Sequence, residues 1–375
     1  MFNLKQYNFK NYNITLVVVV VLLSSIGAFL VSIAQREGEN LFTKQVFGII
    51  FGFFIVFIVS IIDYHFICEF YILLYIINLI LLVLVKLVGV EFNHSKRWLN
   101  LKVVTIQPSE FSKIIMIIFL AKMYTILREK MDKFYVLVLT GALMGIPTYL
   151  ILTQTNLSTS LVMSFIFVIM IFAAGLSYKI ILPIVLIGIP LVFGLFWYVQ
   201  QDFQVILTDY QQKRVVAFLN PESDASADTL YQQENSIQVI GSGKLTGKLL
   251  TEGKDSIEAD TYVPISESDF IFSVLGEAFG FIGACVIIFL LAILIFQCLK
   301  IAKNAPDRLG MLIAIGIAAM FMFQVFVNIG VATGLLPNTG LPLPFVSYGL
   351  SSLLSCMIAI GLVLNINLQR KTKRG

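Results

Sequence analysis

Ser266-Glu267-Ser268-Asp269-Phe270-Ile271-Phe272-Ser273-Val274-Leu275-Gly276-Glu277 opens an apolar run that continues without another charge until Lys300. One carboxylate, Asp269, stands at its mouth, and a second, Glu277, lies eight residues further in. Crossing a bilayer takes roughly 20 mostly apolar residues, so the run reads as a transmembrane helix. Glu277 is then about two turns deeper on nearly the same face as Asp269. Acids in such a helix are costly and are usually kept for a function.

The rest of the chain repeats the apolar theme. Hydrophobic residues make up 58% of it and charged residues 13%, about half the charge of an ordinary soluble domain. Ten spans are predicted, at 14–34, 46–62, 68–90, 111–126, 134–153, 159–176, 180–200, 270–298, 309–332 and 345–366. The fold class is therefore an all-α polytopic membrane protein, one integral domain over 1–375. The first span is too long for the h-region of a signal peptide and has no clear small-residue cleavage site, so it should remain as a helix.

Basic residues set the orientation. If the spans alternate, Lys5, Lys10, Arg128, Lys130, Lys133, Lys179, Lys300, Lys303, Arg308, Arg370, Lys371, Lys373 and Arg374 share one side. Short loops on the other side carry only Arg36, Lys44, Lys96, Arg97 and Lys102. Both termini are thus expected in the cytoplasm. The net charge of +4 reflects this bias and calls for no nucleic-acid partner. Cys68, Cys285, Cys298 and Cys356 lie in or beside spans without paired spacing. They are read as buried free thiols, with no disulfide and no Cys-based metal site.

Residues 201–269, between the seventh and eighth spans, form a large polar loop on the outer side. A loop of that length is functional or disordered. Residues 204–219 suit an amphipathic helix at the interface. Gly241, Gly243, Gly247 and Gly253 predict turns rather than a packed core.

Four blocks concentrate polar chemistry at the outer end. In the first, Lys96-Arg97-Trp98-Leu99 precedes Gln107-Pro108-Ser109-Glu110-Phe111-Ser112-Lys113. Pro108 suits a first helical turn, the helix dipole favours Glu110 there, and Glu110 can pair with Lys113 three residues on. Arg97 gains nothing topologically from an outer position and could hold a phosphate. The second block, Gln154-Thr155-Asn156-Leu157-Ser158-Thr159-Ser160, is on its own an ordinary capped loop. The third is Asp269 and Glu277 with the upstream Ser236–Lys248 segment, Glu277 being open to an internal pair with a basic or polar neighbour. The fourth, Gly334-Leu335-Leu336-Pro337-Asn338-Thr339-Gly340-Leu341-Pro342-Leu343-Pro344-Phe345-Val346-Ser347-Tyr348-Gly349, cannot be helical throughout. Irregular backbone at membrane depth needs protein or a watery cavity around it, so this segment should face Asp269.

Taken in order, the blocks resemble the SEDS family of cell-wall proteins, the group that includes RodA, FtsW and SpoVE. The family's basic-Arg-Trp-Leu and Gln-Pro-Ser-Glu match 96–110, its Gly-Ser-Gly loop matches 241–243, and its Asp-Phe-Ile-Phe and Gly-Glu match 269–277. Its Leu-Leu-Pro-x-Thr-Gly-x-Pro-Leu-Pro-Phe-x-Ser-Tyr-Gly matches 335–349. Gly247-Lys248 looks more like the RodA branch than the division branch.

The resemblance implies a glycosyltransferase of the bacterial cytoplasmic membrane that polymerises lipid II on the outer leaflet, beside a class B penicillin-binding protein. Asp269 is the implied catalytic residue, as general base or as ligand of a divalent cation (Mg2+ or Mn2+). Arg97, Lys113, Glu110, Gln107, Ser109, Lys96, Glu277, Asn156, Ser347 and Tyr348 are the expected cavity or diphosphate-binding residues. Three departures stand out: Asn156 where the family has Asp, Glu267-Ser268 where it has His-Thr, and Leu350 where it has Gly. They keep open a non-catalytic scaffold for the penicillin-binding protein. A lipid-linked precursor flippase is a third reading, although a transporter would centre its polar groups at the midplane.

Overall fold

The computed structural model describes residues 7–36, 38–92, 95–100, 105–177, 197–201 and 227–369, with single positions 180, 186, 190, 194, 212 and 216 besides. The chain opens with α1 (Ile14–Ala34), α2 (Leu41–Ile61), the short α3 (Tyr64–Glu69) and α4 (Tyr71–Val88). Three small strands follow: β1 (Val90–Phe92), β2 (Ser95–Asn100) and β3 (Thr105–Ile106). Then come α5 (Pro108–Ile126), α6 (Phe134–Thr153), α7 (Leu157–Ala173), α8 (Ala227–Ser242), α9 (Ile271–Lys303), α10 (Arg308–Ala332) and α11 (Leu350–Leu368).

Seven of the described helices are long and apolar enough to cross a bilayer: α1, α2, α4, α6, α9, α10 and α11. The 17-residue α7 is apolar but shorter. α5 falls outside the seven because it carries Glu110, Lys113 and Lys122, and most of its residues are buried among other helices rather than facing lipid. The expected span at 180–200 and the amphipathic helix at 204–219 lie largely outside the described residues, so the expected ten spans are matched only in part. Several boundaries differ from expectation, among them that of α9, which runs on to Lys303. The second helix starts earlier, at Leu41; the 68–90 span is split at Phe70 into α3 and α4; and α11 waits until Leu350. The last shift follows from Pro337, Pro342 and Pro344, which supply no backbone donor, and from Gly349 at φ +155°.

α10 and α11 are the innermost long helices, 67% and 78% buried over their apolar windows, against 28% for α2 and 22% for α4. The outer helices therefore present Phe47, Phe51, Phe54, Phe57, Ile72 and Ile80 outward, which in a bilayer places apolar side chains against lipid chains.

The short sheet was not anticipated. β1 and β2 are antiparallel, with Glu91 opposite Lys96 and Val90 opposite Trp98, and β2 pairs with β3 through Leu99 and Ile106. Alternation along β2 puts Arg97 and Leu99 on one face and Lys96 and Trp98 on the other. Leu99 is buried, Arg97 half-buried and Lys96 exposed.

The expectation for the outer loop needs correcting. Its second half holds α8, sixteen residues long, packed against α9. Gly243 and Gly247 do lie at turns, but turns wedged against a helix, whereas Gly241 lies within α8. α9 is broken at Gly280 (φ +63°, ψ −162°). Across the break, the N–H groups of Phe281 and Ile282 donate to the carbonyls of Lys244 and Leu245, at 2.9 and 3.1 Å. A Cβ on Gly243 would lie 2.0 Å from the Gly276 carbonyl oxygen, and one on Gly247 2.1 Å from that of Ala278. Only glycine permits such approach of two backbones. The loop supplies the acceptors that the interrupted helix lacks, as broken helices at membrane depth require.

The bundle has two polar ends. At one, Tyr64 N–H donates to Asn365 Oδ1, Asn13 to Gln297, and His65 bridges Asp63 and Asp307. Lys300, Lys303 and Arg308 gather there, so the positive-inside reading gives this end to the cytoplasm. The opposite end carries the strands, α8, the Asp269 turn and residues 335–349.

Candidate functional site

Asp269 does not sit on α9. It belongs to the turns before Ile271, so the shared-face relation with Glu277 expected from continuous helix does not hold. Its backbone is pinned by the proline-rich segment and α10. Tyr348 N–H donates to Glu267 O at 2.8 Å, Ser347 Oγ to Ser268 O at 2.6 Å, and Asn328 Nδ2 to Asp269 O at 2.9 Å. Asn328 Nδ2 also donates to Leu341 O at 2.7 Å, and Leu343 N–H to Ser347 Oγ at 2.8 Å. The expectation that 335–349 faces Asp269 therefore holds.

The Asp269 carboxylate is half-buried, with Ser268 Oγ donating to Oδ1 at 3.2 Å. A Cβ on Gly340, which sits at φ +73°, would come within 2.9 Å of Oδ2, so glycine is what lets the loop pass so close to the carboxylate. Two further helices support the loop from behind. Gln45 of α2, fully buried, donates to Ser347 O at 3.2 Å, and Gly27 of α1 packs directly on Val346. Gln45 is a site residue that sequence reasoning missed, since a lone Gln in an apolar helix announces no partner.

The other blocks join this assembly through short polar links. Ser158 Oγ donates to the Thr339 carbonyl, next to Gly340. Asn156 caps α7 by accepting from Thr159 N–H at 3.2 Å and donates to Ser109 Oγ at 3.4 Å. Gln107 Nε2 donates to the same hydroxyl at 3.2 Å, and its N–H to Ser351 Oγ at 3.0 Å. The Arg97 guanidinium donates to the Thr155 carbonyl. Arg97, Gln107, Ser109, Asn156, Ser347 and Tyr348 thus fall in one connected outer region with Asp269. The amide at 156 keeps the helix cap a carboxylate could make, and adds an N–H donor that a carboxylate lacks.

Two expected site groups are placed differently. Lys113 Nζ meets Glu110 Oε2 at 2.8 Å, with the side chains 0% and 3% exposed. The expected pair forms, but it is enclosed, so in this conformation Lys113 does not reach a bound diphosphate. Of the cations expected there, Arg97 is half-buried and Lys96 exposed. Glu277 turns away from Asp269. Its Oε1 accepts from Lys248 Nζ at 2.6 Å, and its Oε2 from the N–H groups of Glu258 and Ala259 at 3.1 and 2.8 Å. Glu267, two residues before Asp269, is half-buried, and burial pushes its carboxyl above the ordinary value.

Comparisons agree with this architecture. A family model described as cell cycle protein, FtsW/RodA/SpoVE, matches residues 8–372. A probable peptidoglycan glycosyltransferase FtsW of Trichlorobacter lovleyi is 35% identical over 97% of this chain and 95% of its own length. Stage V sporulation protein E of Bacillus subtilis is 36% identical over 77% of this chain and 76% of its own. Among solved structures, a chain of a peptidoglycan synthase complex described as coordinating polymerization and crosslinking superposes with a TM-score of 0.77. The two are 26% identical, with 95% of this chain and 97% of that one covered. The rod shape determining protein RodA of Thermus thermophilus gives a TM-score of 0.69 at 26% identity, covering 96% and 98%. With nearly the whole bundle inside the matched range, the chain belongs to the FtsW/RodA/SpoVE family of cell cycle proteins, the SEDS family.

Proposed function

We propose that this chain is a peptidoglycan glycosyltransferase, polymerising lipid II into glycan strands on the outer face of the bacterial cytoplasmic membrane. The observation that carries the reading is a half-buried carboxylate, Asp269, whose turn is pinned by the proline-rich segment and α10 at the outer end of the bundle. An acceptor sugar hydroxyl attacks the anomeric carbon of a lipid-linked donor. The new glycosidic C–O bond forms as the bond to the polyprenyl diphosphate breaks. Asp269 takes the hydroxyl proton, and the diphosphate leaves with the bonding electrons. A general base so placed is worth about 10²–10⁴-fold. Arg97 and Lys96 are the cations we assign to the diphosphate, whose charge grows toward the transition state.

A divalent cation at Asp269 is a further proposal. No three His, Cys, Asp or Glu side chains among the described residues come together to hold a metal. A cation there would therefore take Asp269 as its protein ligand and its remaining ligands from substrate and water, and no step above depends on it. The expected partner is a class B penicillin-binding protein, supported by the likeness to a synthase complex. The leaning toward RodA-type members rests on Gly247-Lys248 alone, while the relatives above with 35% and 36% identity carry division and sporulation names.

The deciding assay gives purified protein labelled lipid II and Mg2+ or Mn2+, with and without the partner. Polymer that disappears in Asp269→Asn supports the proposal. Normal complex formation without polymer under any condition would leave the scaffold reading in its place.

A further inference from the structure

We infer that Glu277 and Lys248 are positioning residues for the proposed reaction: they hold the nine-residue half-helix Ile271–Phe279, and through it the turn that carries Asp269. This rests on the glycosyltransferase reading above. The half-helix has no continuous connection to the long part of α9, because the ladder is interrupted at Gly280. Its attitude therefore depends on its packing in the core, on the ties of the Asp269 turn to α10 and the proline-rich segment, and on what grips it from the outer loop.

Two polar ties do so. Ser236 Oγ of α8 meets Ser273 Oγ at 2.6 Å and donates to Ala332 O at 2.7 Å. The second is Glu277, 1% exposed, with a donor on each carboxylate oxygen and Lys248 drawn from the single helical turn Lys248–Thr251. The hydrogen bond it donates to Glu277 raises the Lys248 ammonium above its ordinary value, with Glu258 and Glu252 adding to it. Gly243 and Gly247 complete the grip by direct backbone contact with Gly276 and Ala278.

The lever explains why this matters. Glu277 lies six residues past Ile271, about 9 Å at 1.5 Å per residue. A tilt of about 6° would shift the start of the half-helix, next to Asp269, by about 1 Å. A misplacement of that size costs on the order of 10²-fold in rate. Glu277 itself touches no reacting atom.

The test uses full-length protein in liposomes with its partner and lipid II. Lys248→Met and Glu277→Gln should lower kcat about 10²-fold while KM for lipid II stays nearly unchanged, and Lys248→Arg should recover most of the rate. A loss confined to KM, or a loss matching only the unfolded fraction, overturns the inference. A second readout needs no activity. Cys285 is the exposed thiol, and the other three are buried, so Ser268→Cys in a Cys285→Ser background reports on the turn by maleimide labelling. Adding Lys248→Met should change the labelling rate, and an unchanged rate overturns the inference. If wild-type protein makes no polymer, the glycosyltransferase reading falls with the catalytic role, and the labelling arm alone decides whether the pair holds the turn.

Discussion

Glu110–Lys113 and Lys248–Glu277 are both ion pairs with short contacts, 2.8 and 2.6 Å, the first fully enclosed and the second with only its carboxylate buried, yet they do opposite jobs. The first is contained in one turn of α5, whose neighbours include α4, α7, α10 and α11. It neutralises two charges that would otherwise be intolerable so deep in the bundle, and it links nothing to anything else. The second joins residues 29 positions apart and ties the outer loop to the half-helix beside the proposed catalytic carboxylate. A local pair is set by helix geometry and chiefly protects the fold; a long-range pair fixes the relative position of two bodies. The two should therefore respond in opposite ways to mutation, the first in stability and the second in rate.

The largest effect on folding is expected where a charge is stranded. Lys113→Met leaves Glu110 uncompensated, and breaking such a pair costs about 3–5 kcal/mol. Unfolding in detergent should show it, and the double change Glu110→Gln/Lys113→Met should recover most of the loss. A double variant no better than the single one would break the comparison at its first member. Gly280→Ala comes next, at about 2–3 kcal/mol, because a side chain at φ +63° is strained and its Cβ would lie 2.5 Å from Gly247 N. Lys248→Met should cost less stability than Lys113→Met, about 1.5–3 kcal/mol, because the Glu277 carboxylate it leaves keeps two backbone N–H donors. Its rate loss should nevertheless exceed that of the stability-rescued Glu110/Lys113 double variant; equal rates would collapse the distinction.

The smallest effect is expected from a third ionic cluster, at the opposite end of the bundle. His65 contacts Asp63 at 2.8 Å and Asp307 at 2.5 Å, and its side chain is 44% exposed. The hydrogen bond to Asp307 leads in raising His65 above its ordinary 6.5. Burial opposes, but hydrogen bonds from Gln369 and His65 to Asp63, and from His65 and Gly310 to Asp307, hold both acids below 3.8. The histidine contribution is full below 6.5 and fades as pH rises through its raised value. The carboxylate contributions are full above 3.8 and fade as pH falls through their lowered values. The margin of wild type over His65→Gln in Tm should thus be widest between those limits and shrink as pH rises above 6.5 through the raised value. A constant margin across that range would remove the cluster from the comparison.

How much of this was legible follows the same division. The apolar runs of α1, α4, α6, α9 and α10 announced themselves, because lipid selects composition regardless of what a helix later touches. Glu110–Lys113 was legible from a spacing of three. The closeness of 335–349 to Asp269 followed from three prolines that needed cover. α8 was missed because two of its three described buried positions are Gln233 and Ser236, with Val239 the third, and these two donate to Val331, Leu336 and Ala332 carbonyls rather than being apolar. The strands around Arg97 were missed because they are two to six residues long.

Composition, loop charge and the ordered motif blocks were enough, without coordinates, to establish a multi-pass membrane protein of the SEDS family and to single out Asp269. Those properties are written one residue at a time, in hydrophobicity, charge and short-range spacing. Only the tertiary structure decided that α9 breaks at Gly280, that Asp269 lies on a turn ahead of the helix, and that Glu277 faces Lys248. Each of these depends on which distant backbone supplies the hydrogen-bond partners an interrupted helix must find, and no local pattern in the chain encodes that choice.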